Sequence, residues 1–230
     1  MTNTAEIKRG IKSFVRRSGR LTAAQKRATT EYWPLYGIDY EMSDKPVSNA
    51  AREYGSVYVE IGFGNGDALI TMAGNNPDIL YIGVEVYESG VGRCLNNIAI
   101  NQLHNVKLIA HDAVEVMQYM IPPQSLDKIL LFFPDPWHKK RHHKRRIVNQ
   151  KFRQLTLKLL KPGGCLHLAT DWQDYAEHMA RELLSDARFA NLGNSAGYAQ
   201  RPGYRPLTKF EQRGLDLGHG VWDLVFQKIV

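Results

Sequence analysis

The sequence predicts an α/β fold built on a mostly parallel sheet with helices on both faces. Three observations lead there: short β-branched runs that alternate with helical stretches, a glycine-rich turn directly after the first run, and acids at the ends of successive runs. At 230 residues the chain is long enough to bury a full core without staples. Its 43% hydrophobic and 23% charged residues are those of an ordinary globular protein, which excludes wholesale disorder. Two cysteines, Cys94 and Cys165, are too few for a secreted disulfide framework and lack the paired spacing of a zinc site, so both read as core filler in a reducing compartment. The longest apolar runs, such as Ile129 to Phe133, stop far short of a membrane span, and no apolar signal core opens the chain. A cytoplasmic protein without membrane or metal is expected.

Up to about Ser48 there is no clear periodicity, and Trp33-Pro34 and Lys45-Pro46 break the pattern. Residues 1–50 are read as a basic arm with some helix, and residues 51–230 as one domain. Strands are expected at Val57 to Ile61, Tyr81 to Val86, Val106 to Ile109, Lys128 to Phe133 and Cys165 to Thr170, each followed by a helix. After Ala187, the glycines and prolines between Gly193 and Pro206 predict a long loop, and Val221 to Ile229 a last strand.

Charge is concentrated. The formal net charge is +7, yet residues 1–30 alone hold eight Lys/Arg (Lys8, Arg9, Lys12, Arg16, Arg17, Arg20, Lys26 and Arg27) against one acid, Glu6. His138 to Arg146 adds six more cations, Lys139, Lys140, Arg141, Lys144, Arg145 and Arg146, so the remaining body is mildly acidic. An acidic body with two basic elements is the footprint of a protein that meets a polyanion, most simply nucleic acid. Arg141, Lys144, Arg145 and Arg146 are the candidate phosphate contacts.

The first strand runs into Glu60-Ile61-Gly62-Phe63-Gly64-Asn65-Gly66. Glycines at alternate positions let the backbone bend and approach a ligand, and the following helix start offers free N–H groups. A dinucleotide fingerprint needs a further glycine where Asp67 stands, so a nicotinamide is disfavoured. A carboxylate at Glu60 would repel phosphates but accept from an ammonium. Glu85, nineteen residues past Gly66, can accept both ribose hydroxyls of an adenosine, and Asp112 the adenine amino group. Three acids on the ligand-binding edge describe the Rossmann-like sheet of class I S-adenosylmethionine-dependent methyltransferases. The fourth strand ends in Phe133-Pro134-Asp135-Pro136-Trp137: two prolines aim Asp135 on a rigid turn, and Trp137 offers a face for base stacking.

These blocks, with Gly83-Val84-Glu85-Val86, His111-Asp112-Ala113, Ala169-Thr170-Asp171-Trp172 and Thr208-Lys209-Phe210-Glu211-Gln212-Arg213-Gly214, resemble the bacterial tRNA (guanine-N7)-methyltransferases. The resemblance spans nearly the whole chain, including the arm from Phe14 to Thr22. It implies methylation of a guanine in the tRNA variable loop, with S-adenosylmethionine as cofactor and tRNA as partner. It further implies that Glu60, Gly62, Gly64, Gly66, Glu85, Asp112 and Asp135 hold the cofactor, with Asp135 catalytic. Lys139, Asp171, Thr208, Lys209, Phe210 and Glu211 take the substrate side. How Asp135, Asp171 and Glu211 divide the grip on guanine stays open, as do a monomer or homodimer. A base-amine methyltransferase and a non-catalytic RNA-binding subunit are the competing readings.

Overall fold

The computed structural model describes residues 12–14, 20–216, 218 and 220–230; the side chains of Lys209, Phe210 and Arg213 lie outside the described residues, as do Lys8, Arg9, Arg16 and Arg17 of the basic arm. Seven strands form one sheet: β1 (Ser56–Ile61), β2 (Ile79–Val84), β3 (Val106–Ile109), β4 (Leu126–Phe132), β5 (Leu160–Thr170), β6 (Phe189–Asn191) and β7 (Trp222–Lys228), in the order β3-β2-β1-β4-β5-β7-β6. The first five are parallel, and β7 runs antiparallel between β5 and β6. Strand β6 falls in the stretch expected to be loop. It has only three residues, and its pairing with β7 defines it rather than any pattern of its own.

Neighbouring residues along the strands face opposite cores. Ile129 joins one cluster with Met117, Phe152 and Met179, while Leu130 joins the other with Leu69, Leu95 and Val91. The first cluster is covered by α5 (Ala113–Tyr119), α6 (Gln150–Leu159) and α7 (Gln173–Leu184), the second by α3 (Asp67–Asn75) and α4 (Glu88–Ile100). Burial of both faces explains why these strands read as near-continuous apolar runs rather than as alternation.

The segment expected as an arm contributes two helices. In α1 (Ala23–Tyr36) a capping box between Thr22 and Gln25 satisfies the first free amides, and the helix packs on α4 through buried Ala28. Gln25 Nε2 donates to Ser89 O at 3.1 Å. Beyond it, Ile38 N donates to Leu108 O at 2.8 Å, extending the edge beside β3, and Val47 of α2 (Lys45–Ala51) enters the core. The weak periodicity follows from a helix only one of whose residues is buried. Among the described residues no helix is long and apolar enough to cross a membrane.

Candidate functional site

In this strand order the chain reverses direction of travel between β1 and β4, and the crevice outside their carboxyl ends is where open α/β sheets bind ligands. Two adjoining cavities occupy it, of about 220 and 460 Å³, sharing Gly62, Gly64 and Phe133 in their walls. The smaller is also lined by Glu85, His111, Asp135 and Phe14, and the larger by Glu60, Asp171, Thr208 and Glu211.

The glycine turn after β1 holds Gly62, Gly64 and Gly66 at φ of 70°, 58° and 82°. A Cβ on Gly62 or Gly64 would meet no protein atom within 4 Å, because both positions face the cavities. Gly66 differs: it lines neither cavity, and a Cβ there would lie 2.4 Å from Cys94 Sγ. The missing side chain lets the turn pack closely on α4. Cys94 is the buried partner in that contact.

Glu60 is buried, and its Oε2 has no hydrogen-bond partner. Burial, with Glu85 adding, pushes its carboxyl up to about 8. Glu85 is satisfied by backbone amides: Gly64 N donates to Oε2 at 2.8 Å, Val86 N and Tyr87 N to Oε1 at 2.6 and 3.0 Å. Burial still holds its carboxyl above the usual range against those three donors, and the nearby Asp135 charge adds to the rise. An orphaned buried carboxylate oxygen beside two open glycine positions fits a ligand that brings an ammonium and a flat, polar body.

Asp112 lines neither cavity. Its Oδ1 caps α5 by accepting from Val114 N at 3.0 Å, and its Oδ2 accepts from Lys12 Nζ at 2.8 Å. The neighbouring His111 lines the smaller cavity. Lys12 also reaches Glu115, so Ser13 and Phe14 are carried across that cavity's mouth, where Ser13 O accepts from Trp137 Nε1 at 3.2 Å.

Asp135 is exposed on a turn bracketed by Phe133 and Trp137, both at φ 50°. Two left-handed non-glycine residues cost about 1–3 kcal/mol each, and such strain persists where the surroundings over-determine the backbone. Here Phe133 N is tied to Ala169 O at 2.7 Å and Trp137 to Ser13. The face of Trp137 expected for stacking carries the Arg145 guanidinium 4.9 Å from its centroid.

The basic run splits. Lys140–Arg145 forms a 3₁₀ turn on which Lys139, Lys140, Arg141 and Lys144 are exposed and Arg145 half-buried. Arg146 is buried: it donates to Pro136 O at 2.9 Å, pairs with Asp174 and lies 4.8 Å over Tyr175. That corrects its expected contact with RNA, since its donors fasten the turn from within. Its bond holds the Asp174 carboxyl below the usual range.

On the far wall Asp171 is exposed, and Thr208 Oγ1 caps α8 (Lys209–Asp216) by accepting from Glu211 N at 3.2 Å. Both oxygens of Glu211 accept from Arg205 at 2.5 and 2.7 Å. Sequence reasoning missed Arg205, since it stands in a proline- and glycine-rich stretch without a pattern.

Residues 55–224 match a family model described as "Putative methyltransferase". Proteins named tRNA (guanine-N(7)-)-methyltransferase from Yersinia pseudotuberculosis and Serratia proteamaculans are each 50% identical over 220 residues, 96% of this chain and 92% of theirs. The solved structure of the 16S rRNA methyltransferase KamB superposes with a TM-score of 0.57 at 15% identity, over 83% of this chain and 96% of that one, which shows the shared fold. The chain belongs to the tRNA (guanine-N7)-methyltransferase family.

Proposed function

We infer that the protein methylates N7 of a guanine in tRNA, using S-adenosylmethionine, and that the target lies in the variable loop. The observation that carries this reading is the contiguity of the two cavities across Gly62, Gly64 and Phe133, with Glu85 on one side and Glu60 on the other for the cofactor, and Asp135, Asp171 and Glu211 beside the same wall for a base. Glu60, Gly62, Gly64 and Glu85 are the residues to hold the cofactor, which when bound supplies an electrophilic sulfonium methyl.

Guanine N7 bears a lone pair and no proton, so the site needs no general base there. Its task is orientation and charge. A carboxylate can accept from guanine N1–H and the exocyclic amine, and it offsets the positive charge that develops on the methylated ring. Asp135 and Asp171 are exposed acids at the ends of β4 and β5, on opposite sides of the shared wall, and Glu211 closes the far side. Lys139, Lys140, Arg141 and Lys144 lie on the turn that follows Asp135, where they can track the phosphates of a polyanion.

Incubating the protein with labelled S-adenosylmethionine and bulk unmodified tRNA, then identifying the nucleosides, tests the reading. 7-Methylguanosine is the expected product. A base methylated on an exocyclic amine would favour the amine-methylating alternative, and tRNA binding without transfer a non-catalytic RNA-binding subunit.

A further inference from the structure

Arg205 is 2% exposed and lies at the wall of the larger cavity. Its Nη1 and Nη2 donate to the two oxygens of Glu211, while Nε and Nη2 donate to the two oxygens of Asp223 at 2.6 and 2.8 Å. The rings of Phe132 and Phe133 lie within 5.8 Å of the guanidinium. Asp223 Oδ1 also accepts from His167 Nε2 at 2.8 Å, and His167 Nδ1 accepts from the Tyr204 hydroxyl at 2.8 Å. One guanidinium thus ties α8 to β7 beside the end of β4.

Local helix energetics do not ask for this arrangement. In a Thr-x-x-Glu capping box the glutamate turns back to the amide of the capping threonine. Thr208 performs its half of that box, but the Glu211 carboxylate is turned to Arg205 instead. A planar fork with five donors can hold two carboxylates in fixed orientation, which a lysine ammonium cannot. One guanidinium against two carboxylates leaves a net negative charge in the cluster that backs the cavity wall, and burial lowers the affinity of His167 for a proton. That sign offsets the charge that appears on a methylated guanine.

We propose that Arg205 is a positioning residue for methyl transfer: it fixes the carboxylate of Glu211 at the base-binding wall and acts on the substrate only through it. The role rests on the tRNA guanine reading above. Each Glu211 oxygen keeps a further lone pair with which to accept from the base.

The test is Arg205→Lys, which keeps the charge and removes the fork. The variant is expected to fold and to bind S-adenosylmethionine within about threefold of wild type, with tRNA KM equally little changed, while kcat falls about 10- to 100-fold. Tyr204→Phe, at the outer end of the network, should lower Tm and leave kcat in place. If Arg205→Lys does not fold, Asp223→Asn loosens the same clamp from its other side and should lower kcat by about tenfold. A folded variant with wild-type kcat, or one whose whole loss lies in cofactor affinity, overturns the role. Wild-type protein assayed alongside separates the two questions: no 7-methylguanosine from it would overturn the underlying reading instead.

Discussion

On the β1–β3 side of the crevice, Glu85 is held by three backbone amides, two of them from the next two residues, and Asp112 by the first turn of the helix it caps. On the β4–β7 side, Glu211 and Asp223 are held by the guanidinium of Arg205, and the turn behind Asp135 by Arg146 and its pairing with Asp174. The first half rests mainly on backbone donors, one of them Gly64 N from the neighbouring turn, with the Lys12 ammonium adding a cation at Asp112. The second rests on side-chain charges, and in the Arg205 cluster the buried guanidinium and its two buried carboxylates depend on one another. Damage should accordingly stay local in the cofactor half and spread in the substrate half.

The largest effect is expected at Asp135, where the halves meet. Asp135→Ala should lower kcat by roughly 10²–10³, the usual cost of one preorganised polar contact, with little change in Tm because the side chain is exposed. Turnover within threefold of wild type at saturating substrate would remove Asp135 from the site.

Next comes Gly64, whose φ of 58° and open Cβ direction face the cofactor cavity. Gly64→Val should weaken S-adenosylmethionine binding by at least about tenfold and cost about 1–2 kcal/mol of stability for the left-handed backbone. Calorimetry showing unchanged affinity would move the cofactor away from this turn.

The two adjacent arginines offer the sharpest contrast. Arg146→Ala should cost about 1–3 kcal/mol of stability, through the lost bond to Pro136 O and the lost contact over Tyr175. Its partner Asp174 is largely exposed and can be rehydrated, which keeps the loss from being larger. It should leave the salt dependence of tRNA binding unchanged. Arg141→Ala and Lys144→Ala should do the reverse, each lowering the slope of log K against log salt by about 1 with stability kept. If Arg146→Ala lowered the slope and Lys144→Ala did not, the division of the basic run would be inverted.

The last effect concerns pH. A carboxyl at about 8 in the folded chain and near 4.5 in the unfolded one makes the folded state hold the extra proton between those values. Glu60 therefore lowers stability progressively as pH rises from about 4.5 to about 8, and Glu60→Gln should flatten that fall in Tm. An ammonium ligand favours the ionised form, so wild-type cofactor affinity should improve as pH rises toward 8 in a way that Glu60→Gln does not show.

How legible each feature was in the sequence depends on whether consecutive residues or distant ones define it. The parallel strands, the glycine turn and the acids at its edge could be read because apolar runs, glycine spacing and strand-end position are properties of a few consecutive residues. The steric need at Gly66 was not legible for the opposite reason: its lack of a side chain answers to Cys94, 28 positions away. The helix α1 was barely visible because it buries a single residue, and β6 not at all because it borrows its conformation from β7.

Local pattern alone determined a parallel α/β sheet, a glycine turn with acids at its carboxyl edge and two concentrated basic elements, since periodicity, backbone freedom and charge density act over one or two turns of chain. Only the tertiary structure decided which cations face outward. Arg145 and Arg146 are neighbours of identical chemistry, and what separates them is a tyrosine, a carbonyl and an aspartate that folding brings to one of the two. It likewise decided that Glu211 answers to Arg205 rather than to its own helix, because a buried carboxylate takes its orientation from the strongest donor within reach.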